Sequence, residues 1–250
     1  EQLEFFPVSA PRFFVGGMAL APDIEAELPE AAAHHATRVL RLAAGDAITL
    51  FDGRGGEYAA RILRIDRRGA RVGIERYSDI EREAGHAVTL AMSVIATDPM
   101  DIAVRKAVEL GVGRIEPVAA ARSQGSAGGE RSSRRVEHWR QIAQAACEQC
   151  GRNRLPEVAE IVSLESWLAA AGPADVILAP GAAKSLAQQA AASPPRAIVI
   201  GPEGGLTDAE LAHAQRRGMT AVHVGTRVLR AETAAIAALA IVNAFAGDAR

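Results

Sequence analysis

The sequence predicts an α/β chain in two parts, a small strand-rich barrel followed by a parallel sheet covered by helices. Three observations carry this. From about Phe5 to Tyr77 short apolar runs are divided by glycine turns, the profile of a small β-barrel. Ser78 to Gly85, SDIEREAG, is a polar and charged break. From Val88 onward strand-like and helix-like runs alternate, the order that builds a parallel sheet with helices on both faces. The boundaries read as 1–77, a linker at 78–87, and 88–250.

In the first part, Ala47 to Phe51 and Tyr58 to Ile65 read as strands joined by DGRGG, Asp52 to Gly56, a hairpin signal; Ala70 to Glu75 follows as another. One helical interval, Pro29 to Leu40, interrupts them and carries His34, His35 and Arg38. The two histidines are sequence neighbours, so they leave a helix in different directions and make no ligand pair. Past the break, Val88 to Ile95 is a strand, Met100 to Leu110 a helix stopped by Gly111, and Arg114 to Ala120 a strand. The run Arg122 to Arg131, RSQGSAGGER, is too rich in glycine and serine to hold one shape unaided and is expected to be mobile without a partner. The helix Ser133 to Cys150 follows it. Asp175 to Ala179, DVILA, is a buried strand ending at Pro180 and Gly181. Ala197 to Ile200 and Ala221 to Val224 are two more, each running into a glycine turn and then a helix. The first of those helices opens with a capping box, Thr207 with Glu210, and is stopped by Gly218. The last, Glu232 to Ala246, is rich enough in alanine for its neighbours to pack very close.

Composition narrows the function classes. A chain of 250 residues holds one large or two modest domains with real cores. Its apolar stretches are too short or too interrupted to span a bilayer, and its first residues lack the basic start and apolar run of a secretory signal. A cytoplasmic protein with no membrane partner is the expectation. The formal charge of −2 argues against an indiscriminate polyanion binder. The charge is locally uneven, however. Between Arg122 and Arg154 seven arginines face only Glu130, Glu137 and Glu148, and a second cluster, Arg61, Arg64, Arg67, Arg68, Arg71 and Arg76, faces only Asp66 and Glu75. Cys147 and Cys150 form a CxxC, but zinc needs two further ligands with their own spacing, and the sequence offers none. Packing on one helix face explains the pair, and no metal is expected.

The turns after the two apolar strands carry the chemistry. GPEGG, Gly201 to Gly205, has three glycines that permit backbone conformations and close ligand approach that a side chain would block. The second turn opens GTRVLRAETA, Gly225 to Ala234, where Arg227 and Arg230 enter the alanine-rich helix. Ligands of open α/β sheets collect at the carboxyl ends of strands, so the two turns are expected to form two sides of one site, with Asp175 to Gly181 supplying a third. A phosphate is a poor occupant. GPEGG lacks the lysine and hydroxyl of GxxxxGK[ST], lacks the GxGxxG spacing, and sets a carboxylate, Glu203, where a phosphate would be repelled. An uncharged or cationic ligand fits better.

GPEGGLTDAEL followed by VGTRVLRAETAAIAAL resembles the C-terminal signature of the SPOUT class of RNA methyltransferases, and within it the RsmE family, which methylates N3 of a uridine in small-subunit (16S) ribosomal RNA. Further similarities are PRFFV at Pro11 to Val15, HHATRVLRLAAGDAITLFDGRGGEY from His34 to Tyr58, KAVELGVGRIEPV from Lys106 to Val118, and EQCGRNRLPEV ending at Val158. Thr226 stands where the family commonly has proline, and Ala231 where it often has threonine; both bear on pocket geometry rather than on the reaction. The resemblance implies a PUA-like RNA-binding barrel followed by a SPOUT-type methyltransferase domain knotted as a trefoil. Its cofactor would be S-adenosylmethionine, and it would act as a homodimer on 16S ribosomal RNA or the small ribosomal subunit. It implies cofactor contacts from Leu178, Pro180, Gly201, Gly205, Leu206, Val224, Gly225, Val228 and Leu229. RNA contacts fall to Arg12, Arg38, Arg41, Arg122, Arg134, Arg135 and Arg152.

For the transfer itself, uridine N3 must lose its proton. Arginine cannot take it, because its pKa is far too high. Arg230, with Arg227, is therefore assigned to the negative charge that develops on the uracil oxygens, and Glu203 or Glu232 to the base or to its positioning. For Glu232 a purely local role, a carboxylate at a helix N-terminus, explains the residue equally well. Other readings of the same chain are a SPOUT methyltransferase of another ribosomal or transfer RNA position, and a non-catalytic RNA-binding assembly factor.

Overall fold

The computed structural model describes residues 10–67, 69–124 and 127–247. Phe5 to Ser9 at the start of the expected barrel, Arg68 in the second arginine cluster, Gly125 and Ser126 in the expected mobile loop, and residues 248–250 lie outside the described residues. Contacts divide the chain into two compact units. One comprises 1–83 together with Cys147–Leu155, and the other 84–146 with 156–250.

The first unit holds β1 (Arg12–Phe14), β2 (Glu25–Glu27), α1 (Glu30–His34), a π-helical turn (His35–Val39), β3 (Ala47–Phe51), β4 (Glu57–Asp66) and β5 (Gly69–Ser78). Its five strands run β1-β3-β4-β5-β2. The long β4-β5 ladder breaks register between Ala59 and Ala60 and again between Ile62 and Arg64. Such irregularities deepen twist, which curls a sheet around one core. That core is Phe13, Ile48, Leu50, Ile62, Val72 and Ile74, alternate residues of their strands, closed by Ala32, Ala33 and Ala36. The expected single helix from Pro29 to Leu40 is a five-residue α-helix continuing into the π turn, because Leu40 N–H bonds to His35 O and Leu42 N–H to Ala36 O.

Cys147–Leu155, which the sequence boundaries put in the second part, is tied into the first unit by charge. Glu57 accepts from Arg12 (2.7 Å), Arg82 (2.8 Å) and Asn153 Nδ2 (3.2 Å); Arg152 pairs with Glu83, and Arg154 with Glu81. Phe14 N–H donates to Glu148 at 3.0 Å. Burial pushes the Glu57 carboxyl up, but the hydrogen bonds from Arg82 and Arg12, the attraction of Arg12 and the bond from Asn153 outweigh it and bring the pKa down to about 2.

The second unit holds β6 (Thr89–Ser93), α2 (Thr97–Glu109), β7 (Arg114–Ala119), α3 (Glu130–Cys150, whose last turn belongs to the first unit), β8 (Glu157–Val158), β9 (Val162–Ser163), α4 (Leu164–Ala169), β10 (Asp175–Leu178), β11 (Lys184–Ser185), α5 (Leu186–Ala192), β12 (Ala197–Ile200), α6 (Asp208–Arg216), β13 (Thr220–His223) and α7 (Ala231–Ala246). The sheet runs β11-β13-β10-β12-β6-β7-β8, with β9 also on β7, and every pairing is parallel. Both faces are covered, so the central strands read as near-continuous apolar runs such as AIVI in β12, all four residues buried. On one face Ala91, Val118, Ile177 and Val199 pack with Leu164, Leu168, Ala214 and Met219. α7 packs against α2, α5 and β12 through Ala235, Ala238, Leu239 and Val242, where the absent side-chain bulk lets helices approach. Cys147 and Cys150 are free thiols; burial pushes that of Cys147 up to about 12, which leaves it inert.

Candidate functional site

β10, β12 and β13 are neighbours in the sheet and parallel, so their carboxyl ends open on one edge. A cavity of about 320 Å³ lies there, within the second unit. Leu178, Ala179 and Pro180 line it from the end of β10, Ile200 to Glu203 with Gly205 and Leu206 from the end of β12, and Val222 to Gly225 with Arg227 to Ala231 after β13; Ala234 closes it from α7. Two of the glycines are forced by geometry. A Cβ on Gly201 would stand 2.9 Å from Leu206 Cγ, so the turn folds Leu206 directly over bare backbone, while Gly205 sits at φ +70°.

The GPEGG turn is braced from outside. Glu203 Oε1 accepts from Ala96 N–H at 3.2 Å, and Arg122 donates to Gly204 O at 2.8 Å. The capping box forms as read: Thr207 Oγ1 accepts from Glu210 N–H while Glu210 accepts from Thr207 N–H. Glu210 also accepts from Ala121 N–H at 2.8 Å, and its carboxyl lies below its ordinary range, burial being outweighed by these bonds and by the charge of Arg122. Behind the third turn, Arg230 is the N-cap of α7 with no side-chain cap, so the first-turn amides of that helix are open to a ligand.

All nine residues expected to touch a cofactor, Leu178, Pro180, Gly201, Gly205, Leu206, Val224, Gly225, Val228 and Leu229, line this one cavity, as do Glu203, Arg227 and Arg230. Glu232 does not. Ala231 and Ala234, three apart on α7, form the lining face, and the helical turn carries Glu232 off it, so Glu232 stands as a first-turn carboxylate beside the helix N-terminus.

Two of the arginines expected to contact RNA, Arg12 and Arg152, are engaged within the first unit. Arg12 is half-buried, its side chain 8% exposed, paired with Glu57 and Asn153 and lying 5.1 Å over the Phe51 ring; Arg152 is 4% exposed and held by Glu83. Both are already paired with carboxylates of the same unit. Arg38 and Arg41 are exposed in the first unit. In the second unit Arg134 is exposed beside Glu130, whereas Arg135 donates to Ile95 O at 2.9 Å and lies 5.2 Å over Trp139. Burial lowers the Arg135 pKa. Of the lining residues, Ile200, Val222, His223 and Ala234 lie outside the turns and residues that the sequence pointed to. The strand-end apolar residues carried no signal separating them from core. Among the described residues, no helix is long and apolar enough to cross a membrane, and no group of three or more His, Cys, Asp or Glu could hold a metal ion.

Residues 82–243 match the RNA methyltransferase domain family, and residues 28–75 the RNA methyltransferase PUA domain. The chain is 33% identical to ribosomal RNA small subunit methyltransferase E of Synechocystis over 91% of its own length and 77% of that protein. Among solved structures it is similar to Lpg2936 of Legionella pneumophila with bound SAM (TM-score 0.90, 34% identity, 95% of this chain and 98% of that one). It is also similar to ribosomal RNA small subunit methyltransferase E of Neisseria gonorrhoeae bound to S-adenosyl methionine (TM-score 0.86, 33% identity, 94% and 98%).

Proposed function

We propose that this chain, which belongs to the ribosomal RNA small subunit methyltransferase E family, transfers a methyl group from S-adenosylmethionine to N3 of a uridine in 16S ribosomal RNA. The observation that carries the reading is the cavity shared by three strand-end turns, apolar inside, glycine-rich in backbone and edged by Glu203, Arg227 and Arg230.

The residues fit the cofactor. Leu178, Leu206, Val228 and Leu229 provide apolar surface for an adenine ring. The turns at Pro180, Gly201, Gly205, Val224 and Gly225 offer amides and carbonyls to its edge and to its polar ends. When bound, S-adenosylmethionine supplies an electrophilic methyl carbon on a cationic sulfur, and no metal is needed. Arg230, with Arg227, stabilises the charge that builds on the uracil oxygens as N3 loses its proton. Glu203 takes that proton or holds the base edge through Oε2, its Oε1 being bonded to Ala96 N–H.

A base held in such a site must be unstacked, which favours single-stranded or loop RNA. The first unit, with Cys147–Leu155, acts as the PUA-like RNA-binding barrel, and the second unit as the catalytic domain. Arg38, Arg41, Arg122, Arg134 and Arg135 face the RNA backbone, the exposed ones gripping phosphate as forks. The catalytic domain is threaded as a trefoil knot, and the enzyme works in the cytoplasm as a homodimer whose interface includes α7. The test is incubation with labelled cofactor and small subunits from a strain lacking the enzyme, followed by mapping. One methyl on N3 of one uridine of the small-subunit RNA is expected; label on transfer RNA, on large-subunit RNA or on another atom overturns the reading.

A further inference from the structure

His223 ends β13 and lines the cavity, and its ring is tied to the turn that follows. Gly225 N–H lies 3.1 Å from His223 Nδ1. A backbone amide can only donate, so Nδ1 must be the acceptor, and the bond exists only while that nitrogen carries no proton. Gly225 needs such a tether. Its φ of +149° belongs to the region that glycine alone occupies readily, and open space surrounds the position where a Cβ would stand. The amide–imidazole bond stands at the start of the segment from which Arg227, Val228 and Leu229 enter the cavity.

We infer that His223 is a positioning residue for the third cofactor turn, and that protonating its imidazole releases Gly225 and weakens binding of S-adenosylmethionine. This rests on the cofactor reading of the cavity. Protonation turns Nδ1 into a donor facing a donor. It also adds positive charge beside Arg227 and Arg230, in a cavity that takes a cationic sulfur and has Glu203 as its one carboxylate. The other charged groups on elements packed against β13 are Lys184 on β11, Asp175 on β10, and Asp208, Glu210, His213 and Arg216 on α6; α5 carries none. Asp175 is bonded to Arg196 and Gly172 N–H, and Glu210 to Thr207 and Ala121, so neither carboxylate is committed to the imidazole.

The experiment is calorimetric titration of the whole protein with S-adenosylmethionine at about pH 8 and about pH 5.5, the range over which imidazoles titrate, for wild type, His223→Asn and His223→Leu. Asparagine puts a carbonyl oxygen where Nδ1 stands and cannot be protonated there; leucine removes the acceptor. For the wild type the affinity falls roughly fivefold on acidification, the worth of one hydrogen bond. His223→Asn loses this pH dependence, whereas His223→Leu is weakened by about the same roughly fivefold factor at both pH values. Circular dichroism at each pH confirms that the variants are folded. If His223→Asn keeps the wild-type pH dependence, or His223→Leu binds as tightly as wild type at the higher pH, the inference is overturned, and His213 becomes the group to test. Failure of folded wild type to bind at either pH overturns the cofactor reading itself, and this inference with it.

Discussion

Arg230 combines two jobs in one residue. Its backbone N-caps α7, with Ala234 N–H bonded to Arg230 O at 2.8 Å, and its guanidinium stays exposed at the edge of the cavity. A side chain with no ion pair among the described residues at such a place is suited to charge that exists only during the reaction. Arg12 and Arg152 are the opposite case, the same residue type spent on ion pairs with partly buried carboxylates. Replacing Arg230 by alanine should therefore lower single-turnover methyl transfer on the order of 10²-fold while leaving cofactor affinity within about threefold of wild type. A wild-type transfer rate in the variant would remove Arg230 from the chemistry.

At the scale of elements, the glycine turns work because the segments around them are stiff. The capping box starts α6 one turn after GPEGG, and Glu210, held below its ordinary pKa, links that helix to the backbone after β7. In the first unit the corresponding device is the carboxylate Glu57, which gathers β1, β4, Arg82 and Asn153. Its pKa is depressed from 4.5 to about 2. The stability it contributes is thus fully present above about pH 4.5 and is lost as pH falls from there toward 2. The shift corresponds to at most about 3.4 kcal/mol, less what solvent screens at the half-exposed Arg82. Glu57→Gln should be less stable than wild type at neutral pH, and acid unfolding followed by circular dichroism should show the two proteins converging below about pH 2. An unchanged gap between them across that range would show that Glu57 is not the group being titrated.

For the whole molecule, both tryptophans, Trp139 and Trp167, lie in the second unit, so intrinsic fluorescence reports the melting of the unit that carries the cavity. Cofactor at a hundred times its Kd should stabilise that unit by about 2.7 kcal/mol and raise the fluorescence melting temperature by roughly 5 to 10 °C. No shift would mean that the cofactor does not bind this unit. The order of strands and helices in that unit, the turn positions and the α6 capping box were readable from the chain because each is local: apolar periodicity, glycine punctuation and a side chain reaching three residues along. The short pairs β8, β9 and β11 and the helices α4 and α5 were not, since two-residue strands and six- or seven-residue helices leave no periodic signal. The nine residues expected at the cofactor, which the structure gathers around one cavity, were named through family resemblance, while the pairing of Arg12 and Arg152 and the placement of Glu232 and His223 were not. Those depend on what lies opposite each side chain: Glu57 is 45 residues from Arg12, and Glu83 is 69 residues from Arg152. By itself, then, the sequence determined the two-part α/β organisation, the glycine turns and the chemistry their neighbours could perform. Only the tertiary structure decided which arginines are spent on ion pairs inside the first unit and which helix face meets the cavity. Burial and pairing are set by residues distant in the chain, and no local pattern encodes them.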